Sequence, residues 1–79
     1  MLAELENAPK VVGVKQVRRA LAAGQVRRLY LAKDADPHLT GPLERQAGEQ
    51  GVETRWFDSM RELGRACGIA VGAAVAAEL

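Results

Sequence analysis

The sequence predicts an α/β protein in which a sheet is sandwiched between helices, and two observations carry that prediction. Short apolar runs alternate with segments whose apolar residues recur at helical spacing, so that the elements close as αβαβαβαβ. The chain has 79 residues, of which 48% are hydrophobic, enough for one domain with one core at the size where folding buries roughly 60% of the unfolded surface. Tyr30, Trp56 and Phe57 are its aromatic residues. The core is therefore aliphatic and tightly packed, and stacking of several nucleobases on aromatic platforms is not expected.

Leu2 to Ala8 read as a short helix that Pro9 cannot extend, and Val11 and Val12 as a brief strand running into Gly13. From Val14 onward, Val17, Ala20 and Leu21 recur on one helical face, and Gly24 is placed as the left-handed residue that ends the helix. Lys15, Arg18 and Arg19 then project from its first turns. Val26, Leu29, Tyr30, Leu31 and Ala32 form the next strand, stopped by the loop Asp34-Ala35-Asp36-Pro37.

The following helix is expected to start near Thr40 and Gly41, with Pro42 in its first turn, Leu43 and Ala47 inward and Gly51 at its end; any turn at Pro37 to Leu39 is separate. Val52 to Asp58 is a strand. Ser59-Met60-Arg61-Glu62 matches a capping box, in which hydroxyl and carboxylate satisfy the free amides of a helix start, and Gly68 closes that helix after Leu63 and Cys67. The tail from Val71 to Leu79 reads as a strand, because the run is short and Gly68 and Gly72 bound it.

One cysteine, Cys67, excludes an internal disulfide and a cysteine-based zinc cluster. The N-terminus carries no charged segment followed by a long apolar run, so a cytoplasmic protein is expected. Ile69 to Ala77, the longest apolar candidate, is far short of the roughly 20 residues that cross a bilayer, so no membrane partner is expected.

Charge is distributed unevenly. Lys10, Lys15, Arg18, Arg19, Arg27, Arg28 and Lys33 form a block without an acid, although the whole chain carries only +1. Residues 34–79 hold eight acids against Arg45, Arg55, Arg61 and Arg65. A neutral total with one basic block reads as a surface for a polyanion, with the acids repelling it from the other faces. The competing reading is a set of solvated helix faces whose arginines point outward.

Candidate catalytic groups are sparse. His38 lies beside Asp34 and Asp36, as a base oriented by a carboxylate would, but the same residues are what a turn and a helix cap require, and no nucleophile adjoins them. Cys67, next to Gly68, reads as a buried small hydrophobe. Gly64-Arg65-Ala66-Cys67-Gly68 lacks the preceding strand and glycine spacing of a phosphate loop. Hence no enzyme activity, cofactor or metal is expected. The Gly13 turn is the better candidate: free amides at a helix N-terminus seat phosphate, Lys15 and Arg19 anchor it, and the neutral Gln16 can both donate to and accept from base edges. A polar helix face without a ligand is the alternative.

Three blocks carry a resemblance: Gly13-Val14-Lys15-Gln16-Val17-Arg18-Arg19, then Ala32-Lys33-Asp34-Ala35-Asp36-Pro37, then Leu63-Gly64-Arg65-Ala66-Cys67-Gly68-Ile69-Ala70-Val71-Gly72. In order and spacing the chain from about Lys10 onward resembles the L7Ae family of kink-turn-binding ribosomal proteins, and within it the short bacterial members. The resemblance implies a three-layer α/β/α sandwich with a mixed four-stranded β-sheet and a tail that is a strand. It implies a structured RNA partner containing a kink-turn and association with the ribosome. Separately, nothing in the sequence suggests an exposed apolar seam, so a monomer is expected.

It further implies that Gly13, Val14, Lys15 and Gln16 lie against the major-groove side of tandem sheared G·A pairs at a bent internal loop, and that Arg19 binds backbone phosphate. Lys15-Gln16 stands where archaeal-type members have Asn-Glu. Ile69, Ala70 and Val71 match the family's second contact, beside the RNA bulge, Asp36 matches an acid near an extruded nucleotide, and Lys33 is a further phosphate contact. Arg27 and Arg28 are left as peripheral charge that steers RNA. The rival reading on the same fold is a protein-interaction module whose basic surface meets an acidic partner.

Overall fold

The structure, a computed structural model, describes residues 7–79; all but the last two residues of the helix expected over Leu2 to Ala8 lie outside them. Strand β1 (Lys10–Val12) runs into Gly13, which starts helix α1 (Val14–Ala22). Then come β2 (Arg28–Ala32), α2 (Pro37–Glu49), β3 (Glu53–Phe57), α3 (Met60–Ala66) and β4 (Val75–Glu78). From β1 onward the alternation expected from the sequence is present among the described residues, and a glycine at positive φ follows each of α1, α2 and α3, as Gly24, Gly51 and Gly68.

The start of α2 differs from the sequence expectation. Asp36, not Thr40, caps this helix: its carboxylate accepts from the His38 N–H at 2.9 Å, and Pro37 takes the first helical position, where a missing N–H costs nothing. The stretch Pro37 to Leu39 is thus the helix's first turn, and Pro42 lies inside it. A proline there removes one bond, from residue 42 to the His38 carbonyl. His38 is exposed, so water can take that carbonyl.

The tail also forms less strand than expected. Only Val75–Glu78 pairs, because residues 69–74 are spent running back alongside α3 from its last turn to its first residue, where the Ala73 N–H donates to the Met60 carbonyl at 2.9 Å. At the other boundaries β2 begins two residues after Val26, and β3 loses one residue at each end of the expected range. The Ser59 cap is present, its hydroxyl accepting from the Glu62 N–H at 3.1 Å.

The sheet order is β1-β4-β2-β3. Strand β4 is antiparallel to both β1 and β2, and β2 is parallel to β3. The sheet is therefore mixed, and the carboxyl ends of β1, β2 and β3 gather at the end where β4 begins. Alternation along β2 separates two cores. Leu29 and Leu31 point to the face covered by α1 and α2, with Val17, Leu21, Leu43, Ala47 and Val75. Tyr30 and Ala32 point to the α3 face, with Leu63, Ala66, Cys67 and Ala76. The second core is made mostly of small side chains, so α3 can lie close to the sheet, and Tyr30 fits because its register partner is Ala76.

Candidate nucleic-acid interface

Everything that the sequence singled out as a reading head lies at the end of the sheet where three strands finish. Gly13 bridges β1 and α1 at φ 104° and ψ 154°, donating its N–H to the Val75 carbonyl at 3.1 Å and accepting at its own carbonyl from Val17 at 3.0 Å. No side chain caps α1. The amides of Val14, Lys15 and Gln16 precede the first residue with an intrahelical acceptor, so they point out along the axis as free donors. Val14 is half-buried against the core, whereas Lys15, Gln16 and Arg19 are exposed.

The pairing of Val12 with Ala76 sets the segment before β4 beside this turn. In that segment Ile69 packs against the α3-side core, while Val71 is 70% exposed. The segment is fixed from beneath. The Ile69 N–H donates to the Gly64 carbonyl at 3.0 Å, and the bare Cα of Gly64 faces the Val71 carbonyl so closely that a Cβ there would overlap it. An apolar, exposed side chain thus stands in the segment that leads into β4, whose first residue, Val75, is bonded to the Gly13 turn.

Lys33 reaches the same end from β2, two strand spacings or roughly 10 Å from Gly13, and its Nζ pairs with Asp58 Oδ1 at 3.3 Å. Both groups are well exposed, so the pair is weak and a phosphate can displace the carboxylate. Asp36 sits at the start of α2, engaged as its cap. Its carboxyl is held below the usual 3.8 by the His38 backbone N–H first and the His38 ring second.

The His38 ring does meet Asp36, Nδ1 to Oδ1 at 3.1 Å, but the histidine side chain is 95% exposed, an arrangement that serves the cap. Cys67 is buried, and burial pushes its thiol up. Among the described residues, no cluster of three or more His, Cys, Asp or Glu side chains could hold a metal ion, and no helix is long and apolar enough to cross a membrane.

One assignment from the sequence is corrected. Arg28 is not loose steering charge. Strand register lines up Lys10, Glu78, Arg28 and Glu53 across all four strands, on the part of the α3 face that this short helix leaves open. Arg28 bonds Glu53 at 3.1 Å and Glu78 at 3.3 Å, and the Tyr30 hydroxyl donates to Glu78 at 3.0 Å. Arg55 joins through Glu53 at 2.8 Å. Lys15, Arg18, Arg19 and Arg27 have no acidic partner among the described residues. Free positive charge in the basic block is thereby concentrated on and just after α1.

The row has a pH signature. Arg55 first and Arg28 second hold the Glu53 carboxyl below its usual 4.5, and Asp36 is likewise depressed. A depressed carboxyl contributes stability above its unfolded pKa and loses it as pH falls through the folded value. Thermal melts should therefore be flat in these contributions above about pH 5 and decline below about pH 4.5. The double variant Glu53→Gln, Asp36→Asn should melt lower than the parent at pH 7 and show a shallower acid decline; an unchanged acid slope would refute the assignment.

The fold and this end of it define a class: α/β/α sandwiches that present their binding groups at the carboxyl ends of their parallel strands, where ligands of open α/β sheets gather. Within that class the chain belongs to the ribosomal protein L7Ae/L30e/S12e/Gadd45 family, which it matches over residues 3–79. It is 41% identical over 78 residues to an RNA-binding protein of Caldanaerobacter subterraneus subsp. tengcongensis, covering 99% of this chain and 95% of that one. It is 42% identical over 75 residues to RNA-binding protein YbxF of Geobacillus stearothermophilus, covering 95% of this chain and 92% of YbxF. Among solved structures, the 15.5 kD RNA binding protein of Giardia lamblia superposes with a TM-score of 0.86 at 25% identity, covering 98% of this chain and 68% of that chain.

Proposed function

We propose that this protein binds RNA and that its target is a kink-turn, a bent internal loop with tandem sheared G·A pairs, which it recognises and stabilises without chemistry, as a monomer in the cytoplasm and in association with the ribosome. The observation that carries the reading is the juxtaposition of the uncapped start of α1, with Lys15, Gln16 and Arg19 exposed, and the apolar segment Ile69 to Val71, tied by the Gly13 to Val75 hydrogen bond. The RNA-binding relatives and the family match support it.

In this reading the amides after Gly13 and the Lys15 ammonium face the groove of the sheared pairs, where Gln16 reads base edges. Arg19, one turn further on, takes a phosphate. Ile69 is held in the core and gives the segment rigidity, so Ala70 and Val71 meet the bulge. Lys33 takes a phosphate once it leaves Asp58, and Asp36 faces the extruded nucleotide from the cap position. Ordinary duplex is excluded by shape, because the A-form major groove is too narrow for side chains. Bending follows from preferential affinity: the protein shifts RNA to the kinked state by as much as it binds that state better.

A titration decides it. RNA with the tandem G·A pairs should bind far more tightly than the same RNA with those pairs made Watson-Crick, and equal affinity for the two would end this reading. Gln16→Ala should erode that preference by about 1 kcal/mol, within the range for a side chain reading a base edge. Arg19→Ala should weaken both RNAs and lower the salt slope by about one. An acidic protein partner would instead be revealed by a complex that survives nuclease.

A further inference from the structure

The exposed surface of α1 is wider than the reading head needs. At about 100° per residue, Arg19 and Gln16 lie about 40° and 100° to one side of Lys15, and Arg18 lies about 60° to the other. Gln16 and Arg18 thus face away from each other, about 160° apart, and cannot address the same groove edge. Between Arg18 and Lys15 falls Ala22, whose side chain ends at Cβ. Lys15, Arg18, Arg19 and Ala22 accordingly line a shallow open trough on the outer face of the helix, with cationic walls and a small apolar floor.

The charge in that trough is unspent. None of the three cations has an acidic partner among the described residues, whereas Arg28, Arg55 and Lys33 do, and no acid occurs between Lys10 and Lys33 in the sequence. The trough starts at Lys15, in the same first turn as the free amides, and runs along α1 away from them to Ala22, over a helix roughly 13 Å long, or about two phosphate spacings. From these observations we infer that the outer face of α1 is a second RNA-binding surface, centred on Arg18, that grips the phosphate backbone of the duplex flanking the kink without reading its sequence. This rests on the kink-turn reading above and extends it, adding Arg18 to a footprint that otherwise ends at Arg19.

The test uses two RNAs with the same kink, one with stems only a few base pairs long and one with stems extended by a helical turn, plus a long-stem RNA whose G·A pairs are Watson-Crick. The parent should bind the long-stem kink several-fold more tightly than the short. Arg18→Ala should lose that gain, about three- to tenfold, with a salt slope about one lower on the long RNA. Its affinity for the short RNA and its preference for G·A pairs should match the parent's. Arg19→Ala, by contrast, should weaken both kinked RNAs alike.

The inference is overturned if the parent shows no gain from longer stems, if Arg18→Ala binds every RNA like the parent, or if it weakens short and long RNA equally, which would place Arg18 in the reading head. Failure of the kink-turn reading is seen separately, as equal binding by the parent to the two long-stem RNAs.

Discussion

Gly64→Ala should dislodge the segment Ile69 to Val71 and remove most of the RNA affinity, although in an isolated helix the same change would help. Alanine in a helix interior is favoured over glycine by about 1 kcal/mol. Here a Cβ would overlap the Val71 carbonyl oxygen and lie 3.0 Å from its carbon and 3.1 Å from the Gly72 Cα. Those atoms are backbone, pinned on either side by the Ile69 to Gly64 and Ala73 to Met60 hydrogen bonds, so no side-chain rotation relieves the contact. Overpacking of this kind costs about 1–3 kcal/mol, which outweighs the propensity gain. Denaturant melts should show a net loss of up to about 2 kcal/mol, and affinity for G·A-paired RNA should fall by more than about tenfold, or 1.4 kcal/mol. Gly48→Ala is the control: it lies within α2, no proline follows it, and its Cβ would meet nothing within 4 Å, so it should stabilise and leave binding intact. A Gly64→Ala protein as stable and as tight as the parent would refute the close approach.

That close approach was not legible beforehand. A glycine inside a helical pattern signals close packing, yet nothing local says that its neighbour is the carbonyl of a residue seven positions later. What was legible depends on local chemistry. Gly24 and Ser59 act within their own turns, as does the Gly13 carbonyl that opens α1, and the sequence places each where the structure has it. At α2 two prolines competed for the helix start. Asp36-Pro37 is the stronger signal, a cap followed by proline at the first position, and the interior Pro42 is tolerated because the bond it forfeits ends on the carbonyl of an exposed residue, His38. The basic block shows the limit of charge counting. Lys10, Glu78, Arg28 and Glu53 span almost the whole chain and meet only through strand register, so the sequence could not show that Arg28 is neutralised while Arg18 and Arg19 stay free. Asp58 is likewise met by Lys33 only because β2 and β3 end together.

Gly13→Ala should have the largest effect of any single methyl group in the candidate site, and for a different reason from Gly64. Nothing lies within 4 Å of a Cβ at this position, so crowding plays no part. The backbone itself is the obstacle: φ 104° with ψ 154° lies in a region populated almost solely by glycine, and an L-residue forced into it costs about 1–3 kcal/mol. The chain can keep the conformation and bear that strain, which is read as lost stability. It can instead rotate to negative φ, which breaks the Gly13 to Val75 bond and turns the amides of Val14, Lys15 and Gln16 away from the apolar segment. The first route costs stability alone; the second weakens RNA binding, since binding must then restore the geometry and bear the strain, and a loss of up to about a hundredfold, or nearly 3 kcal/mol, is expected. D-alanine at position 13, introduced by chemical ligation, separates backbone from side chain. Its mirror-image preference favours positive φ, so it should recover stability and most of the affinity with the same added methyl. If L- and D-alanine were equally damaging, the methyl itself and not the dihedral would be at fault, and the Gly13 turn would not be the device that aims α1 at its ligand.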